Sequence, residues 1–342
     1  MKAKNYFLLF LVLILLIFML SVLDLVLGSV KIPLKESLKI ITGHASQEGW
    51  SYIILQMRLP RLVTAIMTGA GLAVAGLMMQ TLFRNPLAGP YVLGISSGAG
   101  LGVAIYVMAL DIIGLTGIYR MYDLGQAFAA IVGASLVFIL ILLVASHLRD
   151  SVSLLIVGIM FGSLAGAVVN ILQYFSKPDL VQKFVIWTMG SLSSAGWSQI
   201  GVMTSFVVPG ILISVLMIKP MNALLLGELN AEATGVRTNV VKYLIITSAS
   251  LIAGALTAFN GPVAFIGLIV PHISRMLFNT TNHRILLPAT MLTGIALLLV
   301  CDIISQVPGR TIVLPINAIT AMIGAPVILW IVLGNRKMKT SF

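Results

Sequence analysis

The sequence holds a single cysteine in 342 residues, Cys301, and it lies inside an apolar run, so no disulfide framework is available. Charge is also scarce. Only 9% of the residues are Asp, Glu, Lys or Arg, against about 25% in a soluble globular domain. The four histidines, His44, His147, His272 and His283, show no H-E-x-x-H or other metal-ligand spacing. No Gly-x-x-x-x-Gly-Lys-Ser/Thr loop occurs, which excludes ATP binding through that motif. No low-complexity tract and no soluble domain interrupts the chain. Neither a catalytic constellation nor a metal site is expected.

What is present is apolar. Hydrophobic residues make up 59% of the chain, and the mean hydropathy is +1.09. Runs long enough to cross a hydrocarbon layer roughly 30 Å thick recur throughout. Ten spans are predicted, at 6–27, 62–82, 91–110, 126–147, 152–174, 197–218, 240–259, 262–278, 285–305 and 315–334. The first is too long for a signal peptide and lacks a small-x-small cleavage site, so it reads as a retained span. The whole of 1–342 then forms one transmembrane domain. An even number of spans returns both termini to one side. With that side inside, twelve of the 21 basic residues fall inside and nine outside, a modest bias in the usual direction. The net charge of +11 forms no patch suited to nucleic acid.

Glycines recur every fourth residue at Gly94, Gly98 and Gly102, and again at Gly158, Gly162 and Gly166. Each set predicts a flat helix face where another backbone approaches closely. The first set contains GISSG (94–98), which fits a hydrolase nucleophile elbow. That motif requires a preceding strand and triad partners, whereas here it opens a transmembrane helix. Ionisable groups deep in the membrane are few, Asp302 being the clearest and Asp24 lying near a span end. Asp302 is expected to satisfy a nearby backbone group or serine. An ion-coupled secondary carrier would place more carboxylates along its pathway. One polar island stands out, GELNAEATGV at 227–236, with Glu228 and Glu232 one helical turn apart. Gly235, at the end of that short helix, is expected in the left-handed conformation.

Four stretches are specific in order and spacing. They are RLPRLVTAIMTGAGLAVAGLMMQTLFRNPLAGPYVLGISSGAGLG (58–102), LLLGELNAEATGV (224–236), NGPVAFIGLIVPHISRML (260–277) and LPINAITAMIGAPVILWIVL (314–333). Together they resemble the membrane permease family of ABC importers, of type II, for iron–siderophore complexes, haem and cobalamin. The resemblance runs from about residue 50 to the end. It implies an all-α polytopic protein of about ten helices, with two inverted-topology repeats flanking the sixth span. It also implies a homodimer or a pair of related permeases, two cytoplasmic ATPase subunits that carry the ATP and Mg, and an extracytoplasmic substrate-binding protein. The chain would bind no cofactor itself and would not be an enzyme. It would lie in the cell (inner) membrane with both termini in the cytoplasm.

Matched positions carry the family's roles as expectations. Arg58 and Arg61 correspond to outward arginines that dock the binding protein, and Arg310 lies near enough to join them. The alternative for the first two is an ordinary interfacial anchor. Asn85 and Leu87 correspond to the cytoplasmic gate of the pathway, with Ser151 beside them; otherwise Asn85-Pro86 is a plain turn. Gly227, Glu228, Ala231, Glu232 and Gly235 belong to a coupling segment, about 219–238, that inserts into the ATPase; otherwise the island is a solvated loop helix. The sequence departs from the family at Val313, where an acid is common, at Asn317, where glycine is common, and at Gln306, where an arginine is common. These departures bear on the outer docking surface. The cargo expected is a ferric siderophore, with cobalamin or haem as alternatives and an ion-coupled carrier or an intramembrane hydrolase as remote ones.

Overall fold

The computed structural model describes residues 3–28, 30–43, 47–112, 122–147, 151–306 and 313–334. Among these every regular element is helical. All ten predicted spans appear as helices: α1 (Ala3–Val26), α2 (Leu59–Phe83), α3 (Ile95–Ala104, prolonged by a π-helical turn at Ile105–Ala109), α4 (Tyr122–His147), α5 (Ser151–Phe175), α6 (Trp197–Leu216), α7 (Thr238–Asn260), α8 (Ile266–Phe278), α9 (His283–Ser305) and α10 (Ile316–Gly334). Seven are long and apolar enough to cross a membrane, while α3, α8 and α10 are shorter. The end of the bundle at which α1 begins is here the near end, and the opposite one the far end.

The shortness of α3 and α8 has a common cause. Each follows a segment that cannot continue a helix: Arg84–Gly94 carries Pro86 and Pro90, and Gly261–Phe265 carries Pro262. The first segment is entered from the near end and the second from the far end, and they occupy matching places in the sets α2–α5 and α7–α10. The two breaks meet inside the bundle. Tyr91 donates its hydroxyl to the Val263 carbonyl at 2.8 Å and accepts from the Val263 N–H at 3.2 Å. Asn317 Oδ1 accepts from the Ala264 N–H at 3.0 Å. Irregular backbone at membrane depth survives only when its polar groups are satisfied in this way. Paired Gly/Pro interruptions in corresponding positions are a mark of transporter repeats.

At the centre stands α2. Of its most apolar stretch 83% is buried, against 17% for α5. Small residues allow this. A Cβ on Gly69 would meet the Gly294 carbonyl of α9 at 2.5 Å, and one on Gly76 would collide with the Gly267 carbonyl of α8. The predicted stripe on α3 is also used: a Cβ on Gly94 would meet the Gly158 carbonyl of α5 at 2.8 Å, one on Gly98 the Gly133 carbonyl of α4 at 2.6 Å, and one on Gly102 would collide with the Ala129 carbonyl. The second stripe is used only in part. Gly158 and Gly162 face Gly94, whereas Gly166 has nothing within 4 Å. GISSG opens α3 after Gly94, which takes a φ of +75°; no strand precedes it.

One identical substitution separates these environments. Gly76→Ala should lower the thermal stability of the detergent-purified protein by at least about 2 kcal/mol, because backbone must move to admit one carbon. Gly166→Ala should leave stability unchanged or raise it by about 0.5–1 kcal/mol through helix propensity. Equal melting temperatures for the two variants would refute the central role given to the α2–α8 contact.

Candidate functional site

At the near end α2 stops at Phe83, and Arg84 takes the left-handed conformation, φ 46°, that ends the helix. The loop that follows is organised by Asn85. Its side-chain oxygen accepts from the Leu87 N–H at 2.9 Å, its carbonyl from the Ala88 N–H at 3.1 Å, and its own N–H reaches the Gln80 carbonyl at 3.2 Å. This turn leaves Leu87 exposed while Ala88, Gly89 and Pro90 are buried. His272 of α8 donates through Nε2 to the Pro86 carbonyl at 2.8 Å. The helix α5, which opens at Ser151, packs on the Pro90–Leu93 turn. The Ser151 side chain itself lies outside the described residues.

The island lies beside this loop. Gly227, at φ 109°, opens the helix Glu228–Ala233, and Gly235 closes it at φ 83°, in the left-handed region its position predicts. Ala231 is buried and seats the helix. Glu228 and Glu232 are both exposed, and Glu232 also accepts from the Thr238 hydroxyl at 2.6 Å. The sequence reading overlooked two flanking leucines: Leu226 is 66% and Leu229 83% exposed. The tip is therefore apolar as well as acidic. Arg84 Nη2 donates to the Leu225 carbonyl at 3.3 Å, which ties the loop after α2 to the turn that precedes the island.

The far end holds the arginines, and it uses them inward. Arg58 is buried; its Nη1 donates to the carbonyls of Leu25 at 2.7 Å and Val26 at 3.1 Å, and its Nη2 to that of Val30. It satisfies the last carbonyls of α1, which have no partner within the helix. Arg61 grips Asp302 of α9 through two nitrogens, Nε to Oδ2 at 2.9 Å and Nη2 to Oδ1 at 2.6 Å, and adds Ser305 Oγ at 3.0 Å. Its side chain keeps 12% exposure, and Asp302 has none. Removing one member of such a pair costs about 3–5 kcal/mol. Gln306 donates to Asp24 at 2.7 Å and lies 3.5 Å from Asp302, so the residue that departs from the family pattern joins α1 to α9. Arg310 lies outside the described residues. Val313 is exposed and, with Arg61 and Asp302, lines a cavity of about 300 Å³.

A partner for Asp302 was there to be found, since a carboxylate in hydrocarbon requires a cation or several donors. Arg61 and Asp302 lie 241 positions apart in sequence, however, and no local pattern links them. Asn317 is similarly explained only in three dimensions, by the Ala264 N–H it satisfies and by its own N–H reaching Met189 at 3.2 Å. A second cavity of about 390 Å³ lies among Tyr106, Gln126, Lys183, Trp187, Gln199 and Asn260. No group of His, Cys, Asp and Glu among the described residues is arranged to hold a metal ion.

The comparisons with known proteins agree with this geometry. The family model for the FecCD transport family matches residues 13–334. The hemin transport system permease protein HmuU of Yersinia pestis is 35% identical over 318 residues, covering 92% of this chain and 94% of that one. The vitamin B12 import system permease protein BtuC of Klebsiella pneumoniae is 37% identical over 284 residues, 83% of each chain. Among solved structures, a metal-chelate type ABC transporter in an inward-facing conformation superposes with a TM-score of 0.79 at 29% identity, covering 97% of this chain and 99% of that one. Matched over 13–334 by that family model and at 35–37% identity to these relatives, the chain belongs to the FecCD transport family and is an ABC importer permease.

Proposed function

We propose that this permease moves a bulky metal chelate from an extracytoplasmic binding protein into the cytoplasm. A ferric siderophore is one candidate; haem and cobalamin are supported as strongly, because the relatives above carry those names. The observation that carries the reading is the acidic and apolar tip at 226–232, next to Leu225, whose carbonyl accepts from Arg84 at the start of the loop that holds Asn85 and Leu87. A tip of that kind suits a cleft with basic walls and an apolar floor on an ATPase subunit, which would supply the ATP and Mg. The near end would then face the cytoplasm, as the basic residues favour, with both termini there and the chain in the inner membrane. Exposed apolar side chains on α5, among them Ile156, Ile159, Met160 and Leu164, suit lipid or a second permease, and a homodimer with the pathway on its axis is the simplest assembly. Screening the reconstituted complex for ligand-stimulated ATPase activity over ferric siderophores, haem and cobalamin tests the function. One class should stimulate hydrolysis and accumulate inside vesicles; stimulation by none of the three would remove the metal-chelate reading.

At the far end, docking falls on Arg61 more than on Arg58, since Arg61 lines a cavity and keeps 12% side-chain exposure whereas Arg58 is enclosed by carbonyls. Arg61→Gln combined with Asp302→Asn removes the pair without stranding a buried charge. The double variant should fold and still bind the binding protein about two- to fivefold more weakly at low salt, the range of a partly exposed pair. The difference should vanish at high salt. Unchanged affinity at low salt would assign Arg61 wholly to the fold.

At the near end, Glu228→Arg should weaken ATPase association at least about tenfold, through repulsion from a basic cleft. Co-purification of the ATPase subunit reads this directly, and its loss also marks the near end as cytoplasmic. A full complement of ATPase with normal transport would make the island a solvated loop.

A further inference from the structure

The short helix before the island is joined to α2 through a link that is half-buried at one end and fully buried at the other. Asn222, in the helix Ile218–Leu224, accepts with Oδ1 from the backbone N–H of His283 at 2.9 Å. The same oxygen lies 2.9 Å from His283 Nδ1. Its Nδ2 donates to Asn282 Oδ1 at 3.1 Å. A backbone N–H must have an acceptor, so the Asn222 amide can point only one way. An acceptor oxygen opposite Nδ1 then makes Nδ1 the protonated ring nitrogen. On the other side of the ring the unprotonated Nε2 stands 2.9 Å from Thr81 Oγ1, whose single hydrogen is shared between this nitrogen and the Leu77 carbonyl at 2.8 Å. His283 and Thr81 are each 1% exposed. Thr81 lies in the last turn of α2, and Asn85 of the gate loop is hydrogen-bonded to Gln80 in that same turn.

We propose that Asn222 and His283 are positioning residues that carry a displacement of the coupling segment to the gate loop, an inference that rests on the coupling and gate roles given above. Water cannot easily replace a bond at the buried His283–Thr81 end, so separating the two there leaves polar groups without partners. The planar imidazole spans the gap between Asn222 and Thr81 as a rigid spacer. The segment and the end of α2 therefore move together rather than part. Arg84, bonded to Leu225, restrains the same two parts from the exposed side.

The test uses the complete complex, with ATPase and binding protein, in proteoliposomes. Asn222→Leu and Thr81→Val each cut the link with a side chain of similar size. Both should retain bound ATPase and hydrolyse ATP, while substrate transported per ATP falls by about fivefold or more. A thiol introduced by Leu87→Cys should change its reactivity during ATP turnover in the parent background and stop doing so in the link variants. Asn222→Asp keeps the acceptor oxygens and should retain the parent ratio, a rescue that a merely bulky requirement would not give. Should Asn222→Leu fail to accumulate, Thr81→Val at the opposite end of the link decides the matter. Unchanged transport per ATP in an assembled Thr81→Val complex overturns the proposal. A Leu87→Cys thiol that ignores ATP even in the parent background overturns the gate reading, and the proposal falls with it.

Discussion

Hydrocarbon offers no hydrogen bonds, and this single constraint orders the molecule. A polar group left without a partner there costs several kcal/mol, roughly 2–7 by the usual transfer measures. The chain leaves helical conformation twice within the bundle, and each time side chains from elsewhere complete the backbone: Tyr91 at Val263 and Asn317 at Ala264. Arg58 does the same for the end of α1. Asp302, the most deeply placed charge, is held by Arg61 and Ser305. Polar residues in this protein are mostly commitments to one particular partner.

Between the polar ends the middle is held by backbone. Gly69, Gly76 and Gly102 bring main chain against main chain, and Gly98 meets both the Val137 side chain and the Gly133 carbonyl. Packing of this kind drives helix association where lipid is as apolar as the helices themselves. The result is a bundle sealed at the centre and pinned at both ends. One end presents an acidic and leucine-tipped knob, and the other a shallow cavity rimmed by an ion pair. The two ends thus differ in chemistry.

Much of this was legible in sequence, for identifiable reasons. Span positions followed from apolar run length, and the α3 stripe from glycine spacing. The left-handed Gly235 followed from helix-ending chemistry. Other features depended on distance in space. Gly166 keeps the period of its stripe yet meets nothing, because spacing defines a face and not what covers it. The inward turn of Arg58 and the grip of Arg61 on Asp302 required knowing which helix ends adjoin. Histidine spacing said nothing of the hydrogen bonds that His272 and His283 make. Leu226 and Leu229 were invisible for the opposite reason: in so apolar a chain two more leucines carry no signal until they are found in the open.

The contacts of α2 also bear on how such a chain can be made. Its closest neighbours, Gly267 and Gly294, and the partners of Gln80 and Arg61, Leu268 and Asp302, all lie in the second half of the sequence. At ribosomal speeds of about 5–20 residues per second, roughly ten to forty-five seconds separate the synthesis of Gly69 from that of Gly294. Through that interval α2 stands in lipid with Arg61 and Gln80 lacking their final partners. The first four-helix set is therefore no independent folding unit, however complete its topology. Assembly waits for α8 and α9, and a chain cut short before them leaves its most central helix without its closest neighbours and the partners of Gln80 and Arg61.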